Sequence, residues 1–194
     1  MLYLMSMNAT PISRQTDAAV AERAALLQAQ VDATARQLGR DPRSVTLIAV
    51  SKTQPPEAIA AAVGAGLTAV GENYLQEALA KQAALARWPI TWHFIGPIQR
   101  NKTRAIAAAF DWVHSVDRLE VARRLSDQRP EERGPLNIFL QVNVSGERSK
   151  SGVAPEAVLP LAQAVVALPR LRLVGLMTIP EATADQALLS RRFQ

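Results

Sequence analysis

The sequence predicts a parallel α/β fold, and more narrowly a (β/α)8 barrel of the TIM type. Short apolar runs alternate with alanine-rich helical stretches, and the runs start at residues 45, 68, 90, 112, 136 and 171. This alternation and pitch are typical of parallel βα units. No G-x-G-x-x-G motif follows the first run, which counts against a doubly wound dinucleotide-binding sheet. We therefore prefer the barrel over the open sheet.

An extra amphipathic helix precedes the repeating part of the chain. Over residues 13–38, apolar side chains recur at helical spacing among Arg and Glu, and Gly39 ends the pattern. The repeating part then predicts strands at 45–50, 68–70, 90–95, 112–116, 136–144 and 171–177. Helices are predicted at 56–65, 73–87, 100–109, 117–128, 155–168 and 183–194.

These elements amount to about six of the eight βα units of a complete barrel. We therefore expect one barrel domain over residues 13–194, incomplete at its C-terminus, after a flexible N-terminus over residues 1–12.

Composition excludes several kinds of site. The chain has 194 residues, 48% hydrophobic and 20% charged, which is typical of a globular domain. It has no Cys and two His, so disulfides, thiolate nucleophiles, sulfur-ligated zinc and multi-histidine metal sites are excluded, and we predict no metal. The net charge of +5 is dispersed along the chain, so we predict no nucleic-acid partner. No signal peptide or membrane-spanning run is found, and we expect a cytoplasmic protein without a membrane partner.

Lys52 is the most informative of the four lysines. It follows the first predicted strand and, by alternation, shares a face with Ile48 and Val50. The carboxyl end of a barrel strand faces the active mouth. A lysine held there among apolar neighbours is partly desolvated, which favours a neutral amine that attacks aldehydes. The alternative is a lysine that simply extends from the strand end into solvent.

Four further residues fall at or near carboxyl ends of predicted strands. We expect Asn73, His93, Asn143 and Met177 to line the same pocket as Lys52, without assigning individual roles. Two alternatives stay open here. Asn73 has the residue type of a helix cap, and a histidine inside a strand is commonly a core residue.

Five groups of residues follow one another along the chain at these strand ends. They are Val50-Ser51-Lys52-Thr53; Gly71-Glu72-Asn73-Tyr74; Trp92-His93-Phe94-Ile95-Gly96 with Gln99 and Asn101-Lys102; Asn143-Val144-Ser145 with Ser149-Lys150-Ser151-Gly152; and Gly175-Leu176-Met177. Together they resemble the pyridoxal phosphate homeostasis proteins, which are single-domain relatives of the alanine racemase barrel. The resemblance covers residues 13–194.

The resemblance implies a barrel of the alanine racemase N-terminal type that carries pyridoxal 5′-phosphate (PLP) as an internal aldimine on Lys52. It also implies a role in vitamin B6 homeostasis without turnover of an amino acid. On this basis we expect a carrier rather than an enzyme, with no catalytic residues. PLP-dependent apo-enzymes are the expected recipients of the cofactor.

The sequence departs from the family pattern in two places. Family members often have a second lysine two positions after the Schiff-base lysine, and here that residue is Gln54. The family also continues with a serine- and glycine-rich loop after the seventh strand and an Arg-Ile-Gly turn after the eighth, which together hold the cofactor phosphate. This sequence ends at Phe193-Gln194, before either. We therefore expect weak PLP binding, and association through open barrel edges where a full-length relative is expected to be a monomer.

Two alternative functions stay open. A PLP-dependent amino-acid racemase or decarboxylase would need a second, β-rich domain. A PLP-free Schiff-base aldolase shares the argument for Lys52 but not the ordered motifs. Borohydride trapping with PLP is expected to label Lys52, and Lys81→Ala is expected to leave that adduct in place.

Overall fold

The structure is a computed structural model that describes residues 2–6, 17–147 and 150–193. The chain forms two compact units, residues 1–93 and 94–194. Both are built from parallel strands that alternate with helices. Across the described residues, no helix combines the length and the apolar character needed to cross a membrane.

The described part of the first unit contains three α-helices and four strands, and the last residue of the fourth strand belongs to the second unit. In chain order the elements are β1 (Leu2–Ser6), α1 (Asp17–Gln37), β2 (Thr46–Val50), α2 (Pro56–Gly64), β3 (Ala69–Glu72), α3 (Leu75–Ala84) and β4 (Thr91–Phe94). The strands lie in the order β1-β2-β3-β4, and the β1–β2 and β2–β3 pairs are parallel.

Strand β2 is the centre of the first unit's core. Leu47 and Ala49 pack with Val20 of α1 in one apolar cluster. Ile48 and Val50, which alternate with them, are equally buried. Burial of both faces is typical of a strand in a parallel sheet whose two faces are both covered. This packing fixes the strand end from which the candidate site is built.

The second unit repeats the same pattern. Its elements are α4 (Thr103–Ala109), β5 (Trp112–Val116), α5 (Leu119–Gln128), β6 (Leu136–Gln141), α6 (Val158–Val166), β7 (Leu171–Met177) and α7 (Gln186–Arg192). Strands β5, β6 and β7 are neighbours in that order and are parallel.

Aromatic side chains fill the interior of this second unit. Phe139 stacks on Trp112 with ring centroids 5.7 Å apart, and its centroid lies 4.7 Å from that of His114. Burial of the His114 imidazole lowers its pKa from 6.5 to about 4, because the charged form loses its hydration.

The predicted strands and helices of the repeating part are confirmed within a few residues. The structure differs at the N-terminus, where residues 1–12 are expected to be flexible. There β1 pairs in parallel with β2, with Leu2 opposite Thr46 and Ser6 opposite Val50. An open strand edge presents unpaired backbone groups to which a short apolar segment can add. Residues 7–12 lie outside the described residues.

Candidate functional site

Lys52 lies in a turn that connects β2 to α2, two residues beyond Val50. The backbone N–H of Gln54 donates to the carbonyl oxygen of Ser51 at 2.9 Å, which closes the turn. Thr53, the third residue of the turn, has φ +63°, and no other non-glycine residue in the described part of the chain has a positive φ. A single positive φ at that position is the mark of a type II turn, which favours glycine or asparagine. The backbone beside Lys52 is therefore held in a strained conformation.

The side chain of Lys52 is half-buried. Its amine makes no hydrogen bond or ion pair with any residue that the structure describes. A primary amine that no other side chain engages is available to react with a carbonyl carbon. The role of Lys52 as the cofactor lysine stays a prediction.

Lys81 has the opposite environment. Its side chain is 5% exposed, and Nζ donates to the carbonyl oxygen of Ser51 at 2.7 Å, to Glu72 Oε1 at 2.7 Å and to Glu77 Oε1 at 2.6 Å. These bonds use all three donors of the ammonium group. Lys81 is therefore a structural cation rather than a second reactive amine.

The acidic partners of Lys81 contact the two residues that flank Lys52, one through its side chain and one through its backbone. Glu77 Oε1 accepts the N–H of Thr53 at 2.7 Å, and the hydroxyl of Ser51 donates to Glu72 Oε1 at 2.5 Å. We call Glu72, Glu77 and Lys81 the buried ion network. It links the start of α3 to the ends of β2 and β3.

Sequence reasoning missed this network, although one signal points to it. Leu75, Ala78 and Lys81 recur every three residues on α3, and all three are buried. A lysine on the apolar face of a helix needs a buried partner. Glu77, four residues before Lys81, is the partner that helical spacing offers.

Asn73 lies just past the end of β3, next to the strand that leads to Lys52. Val50 is opposite Gly71, and the N–H of Ser51 donates to the carbonyl of Gly71 at 3.0 Å. Continuing this register places Asn73 beside Lys52. Asn73 Oδ1 is buried and has no hydrogen-bond partner among the described residues, and Glu72 Oε2 is in the same state. Buried polar atoms are nearly always paired, so these oxygens fit against polar ligand atoms or water.

His93 is in β4, one residue before the strand ends, and is 3% exposed. Such burial suits the core histidine of the alternative interpretation as well as a pocket residue. Its contact with a cofactor stays a prediction.

Asn143 and Met177 are in the second unit. The Asn143 amide is engaged within its own loop: Nδ2 donates to the Glu147 carbonyl at 2.9 Å, and Oδ1 accepts from the Gly146 N–H at 3.0 Å and the Ser145 hydroxyl at 3.2 Å. Met177 ends β7 and is 8% exposed. Their place in a shared pocket with Lys52 stays a prediction.

The candidate side chains at these strand ends are one amine, two amides, one imidazole and one thioether. In the described ranges, no group of three or more His, Cys, Asp or Glu side chains could hold a metal ion.

Comparison with known proteins gives one consistent result. The family described as alanine racemase, N-terminal domain, matches residues 24–193. A pyridoxal phosphate homeostasis protein of Pseudomonas aeruginosa is 61% identical over 168 residues, which are 87% of this chain and 73% of that protein. The protein of the same name from Escherichia coli is 49% identical over 169 residues, covering 86% and 72% of the two chains.

A solved structure agrees with these sequence matches. The structure of PipY of Synechococcus elongatus with PLP bound has a TM-score of 0.76 and 37% sequence identity to this chain, and the match covers 90% of this chain and 78% of that one. The predicted fold class, an α/β fold of the alanine racemase N-terminal type, is confirmed by the family match and by this likeness.

Proposed function

Because the chain belongs to the pyridoxal phosphate homeostasis protein family, we propose that it binds PLP reversibly through Lys52 and serves vitamin B6 homeostasis. The observation that carries the assignment of Lys52 is that this half-buried residue has no partner among the described residues. It follows β2, whose pairing with β3 brings the two strand ends that precede Lys52 and Asn73 together. The name of the relatives and the PLP bound to PipY support the cofactor.

The residues around the first unit's strand ends fit the aldehyde end of this cofactor. When bound, PLP supplies an aldehyde that condenses reversibly with a primary amine and releases water. Lys52 provides the amine. Asn73 provides a buried amide whose Oδ1 has no partner in the described chain, and it suits a polar substituent next to the aldehyde.

Asn73, His93, Asn143 and Met177 complete the pocket in this proposal, with unequal support. Asn73 has the strongest support, because of its unpaired buried oxygen. Asn143 is better suited to shaping its loop than to contacting the cofactor, since its amide already has partners at both ends.

The proposed role is that of a carrier in the cytoplasm, which releases PLP to PLP-dependent apo-enzymes and does not turn over amino acids. The competing function is a PLP-dependent racemase, because alanine racemases share the N-terminal fold. Incubation of the PLP-loaded chain with L-alanine separates the two. No D-alanine is expected, and its enzymatic detection above the level given by free PLP would favour the racemase.

Borohydride trapping tests the role of Lys52. The chain is mixed with PLP, reduced, digested and mapped by mass spectrometry. The adduct is expected at Lys52 and is expected to disappear in Lys52→Ala. Lys102→Ala is the matched control and should keep the adduct. An adduct that maps mainly to Lys102 or Lys150 in the unaltered chain would contradict the assignment.

A further inference from the structure

The buried ion network contacts the backbone immediately before and immediately after Lys52. We infer that Glu72, Glu77 and Lys81 are positioning residues, which hold the turn so that the Lys52 amine keeps a fixed place for reaction with an aldehyde. The inference rests on the proposed function for the identity of that aldehyde as PLP.

The residue before Lys52 is held through two of its atoms. The Ser51 carbonyl oxygen accepts from Lys81 Nζ at 2.7 Å, and the Ser51 hydroxyl donates to Glu72 Oε1 at 2.5 Å. Both bonds involve a charged group and are therefore stronger than ordinary neutral hydrogen bonds. Ser51 directly follows β2, so the network extends the rigidity of the strand to the residue before Lys52.

The residue after Lys52 is held by Glu77. Its Oε1 accepts the Thr53 N–H at 2.7 Å and also receives Lys81 Nζ at 2.6 Å. Thr53 has φ +63°, a conformation that a β-branched residue avoids unless its surroundings impose it. The charge-assisted bond to Glu77 supplies such a constraint. Without it, the turn is free to relax to another conformation and to move Lys52.

The burial of these charges favours a positional role over a stabilising one. The side chains of Lys81 and Glu72 are 5% and 0% exposed. A buried ion pair adds little net stability, because the cost of removing both charges from water offsets their attraction. What such a pair does provide is a single permitted geometry. Here that geometry is imposed on the two residues that flank Lys52.

Glu77→Leu tests the inference, with Glu57→Leu as the matched control. Glu57 lies in the first turn of α2, is exposed and has no hydrogen bond or ion pair with the described residues. Both variants remove one carboxylate from the first turn of a helix. Two rates are measured in the PLP-free chain: hydrogen exchange of the Thr53 amide, and labelling of Lys52 by formaldehyde with cyanoborohydride. Labelling is resolved by mass spectrometry, and Lys102 serves as the internal reference.

We expect Glu77→Leu to speed exchange at Thr53 and to slow labelling of Lys52 relative to Lys102, each by about tenfold, which corresponds to the loss of one charge-assisted hydrogen bond. Glu57→Leu should change neither rate. Glu77→Gln keeps an oxygen that can accept the Thr53 N–H. Both rates in this variant should therefore lie closer to those of the unaltered chain than to those of Glu77→Leu.

Faster exchange at Thr53 with unchanged labelling of Lys52 would overturn the inference, because the network would then hold the turn without serving the amine. Unchanged exchange would overturn it as well. Failure of the proposed function is distinguishable, since it appears as absent PLP trapping at Lys52 in the unaltered chain. The rate of hydrogen exchange at Thr53 and the rate of formaldehyde labelling at Lys52 are both measured without PLP. They therefore test the positioning role even if PLP does not bind.

Discussion

Lys81 Nζ lies 2.7 Å from the carbonyl oxygen of Ser51, the residue that precedes Lys52. The two residues are on α3 and at the end of β2, 30 positions apart in sequence. A buried cation therefore fixes the strand end from which the candidate cofactor lysine extends. The two lysines of the first unit divide their roles by environment, since Lys81 is fully bonded and Lys52 is unpaired among the described residues.

Lys81→Met is expected to destabilise the chain strongly. It removes the ammonium but leaves Glu72, which is fully buried, as an uncompensated carboxylate. Breaking a buried pair from one side costs about 3–5 kcal/mol. The double variant Lys81→Met with Glu72→Gln leaves no fully buried carboxylate, since the side chain of the remaining partner, Glu77, is 30% exposed. It should recover part of that loss in urea denaturation. Equal losses for the single and double variants would show that the buried charge is not the cause.

The sequence alone gives Lys81 no structural role and yields only the expectation that Lys81→Ala leaves the PLP adduct at Lys52 in place. Sequence reasoning found Lys52 because strand periodicity and local motifs lie within a few residues of it. Two of the three partners of Lys81 are distant along the chain: Ser51, just after β2, is 30 residues away, and Glu72, in β3, is 9 residues away. No local sequence pattern predicts these contacts, although the recurrence of Leu75, Ala78 and Lys81 every three residues places Lys81 on the buried face of α3.

The strands likewise follow the sequence pattern where they depend on local residues and differ from it where distant residues pair. Strands β5 and β7 match their predicted bounds, 112–116 and 171–177, because a buried strand leaves a run of apolar residues. The strand predicted over 136–144 instead ends at Gln141. Beyond it, the Asn143 N–H donates to the Val153 carbonyl at 2.9 Å, which is part of a loop pairing that apolar periodicity does not report.

Thr53→Gly should leave the stability unchanged or raise it slightly. A non-glycine residue in the left-handed region costs about 1–2 kcal/mol, and Thr53 has φ +63°. Glycine removes that cost, but its greater conformational entropy in the unfolded chain lowers the unfolding free energy by roughly 0.5–1 kcal/mol. The matched control is Thr68→Gly, which is exposed and has no positive φ. It should lose about 0.5–1 kcal/mol in urea denaturation. A loss at Thr53 as large as that at Thr68 would show that the turn carries no strain.

His114 should make the stability depend on pH in the acidic range. Its pKa is about 4 in the folded chain against 6.5 as the ordinary value, because burial disfavours the charged imidazole. The folded state therefore binds fewer protons than the unfolded state between these values. The stabilising contribution is complete above pH 6.5 and is lost as the pH falls towards 4, by roughly 3 kcal/mol in total.

The measurement for His114 is urea denaturation across this pH range, compared with His114→Phe. The phenyl ring keeps a contact surface for Phe139, whose ring lies 4.7 Å from the imidazole. As the pH falls from 6.5 towards 4, the unfolding free energy of the unaltered chain should decrease more than that of His114→Phe. Parallel pH profiles would contradict the depressed pKa.

Gly152→Ala should be the most damaging glycine substitution in the second unit's loops. Gly152 has φ +122°, and an added Cβ would lie 2.7 Å from the backbone nitrogen of Asn143 and 2.8 Å from the carbonyl carbon of Val142. Both are backbone atoms, so relief requires the loop to move away from the end of β6. Gly146 provides the matched control. Its φ is +72°, but nothing lies within 4 Å of the added Cβ.

Gly146→Ala is expected to cost only the conformational term, about 1–2 kcal/mol. Gly152→Ala adds the overlap to that term and should cost about 3 kcal/mol or more. Urea denaturation followed by tryptophan fluorescence gives both values, since Trp112 stacks on Phe139 inside this unit. Gly152→Ala should also disrupt the pairing of Val142 with Val153. This disruption should appear as faster hydrogen exchange of the Val153 N–H, which donates to the Gln141 carbonyl at 2.9 Å. Equal costs for the two variants would mean that the loop shifts freely and does not pack tightly against β6.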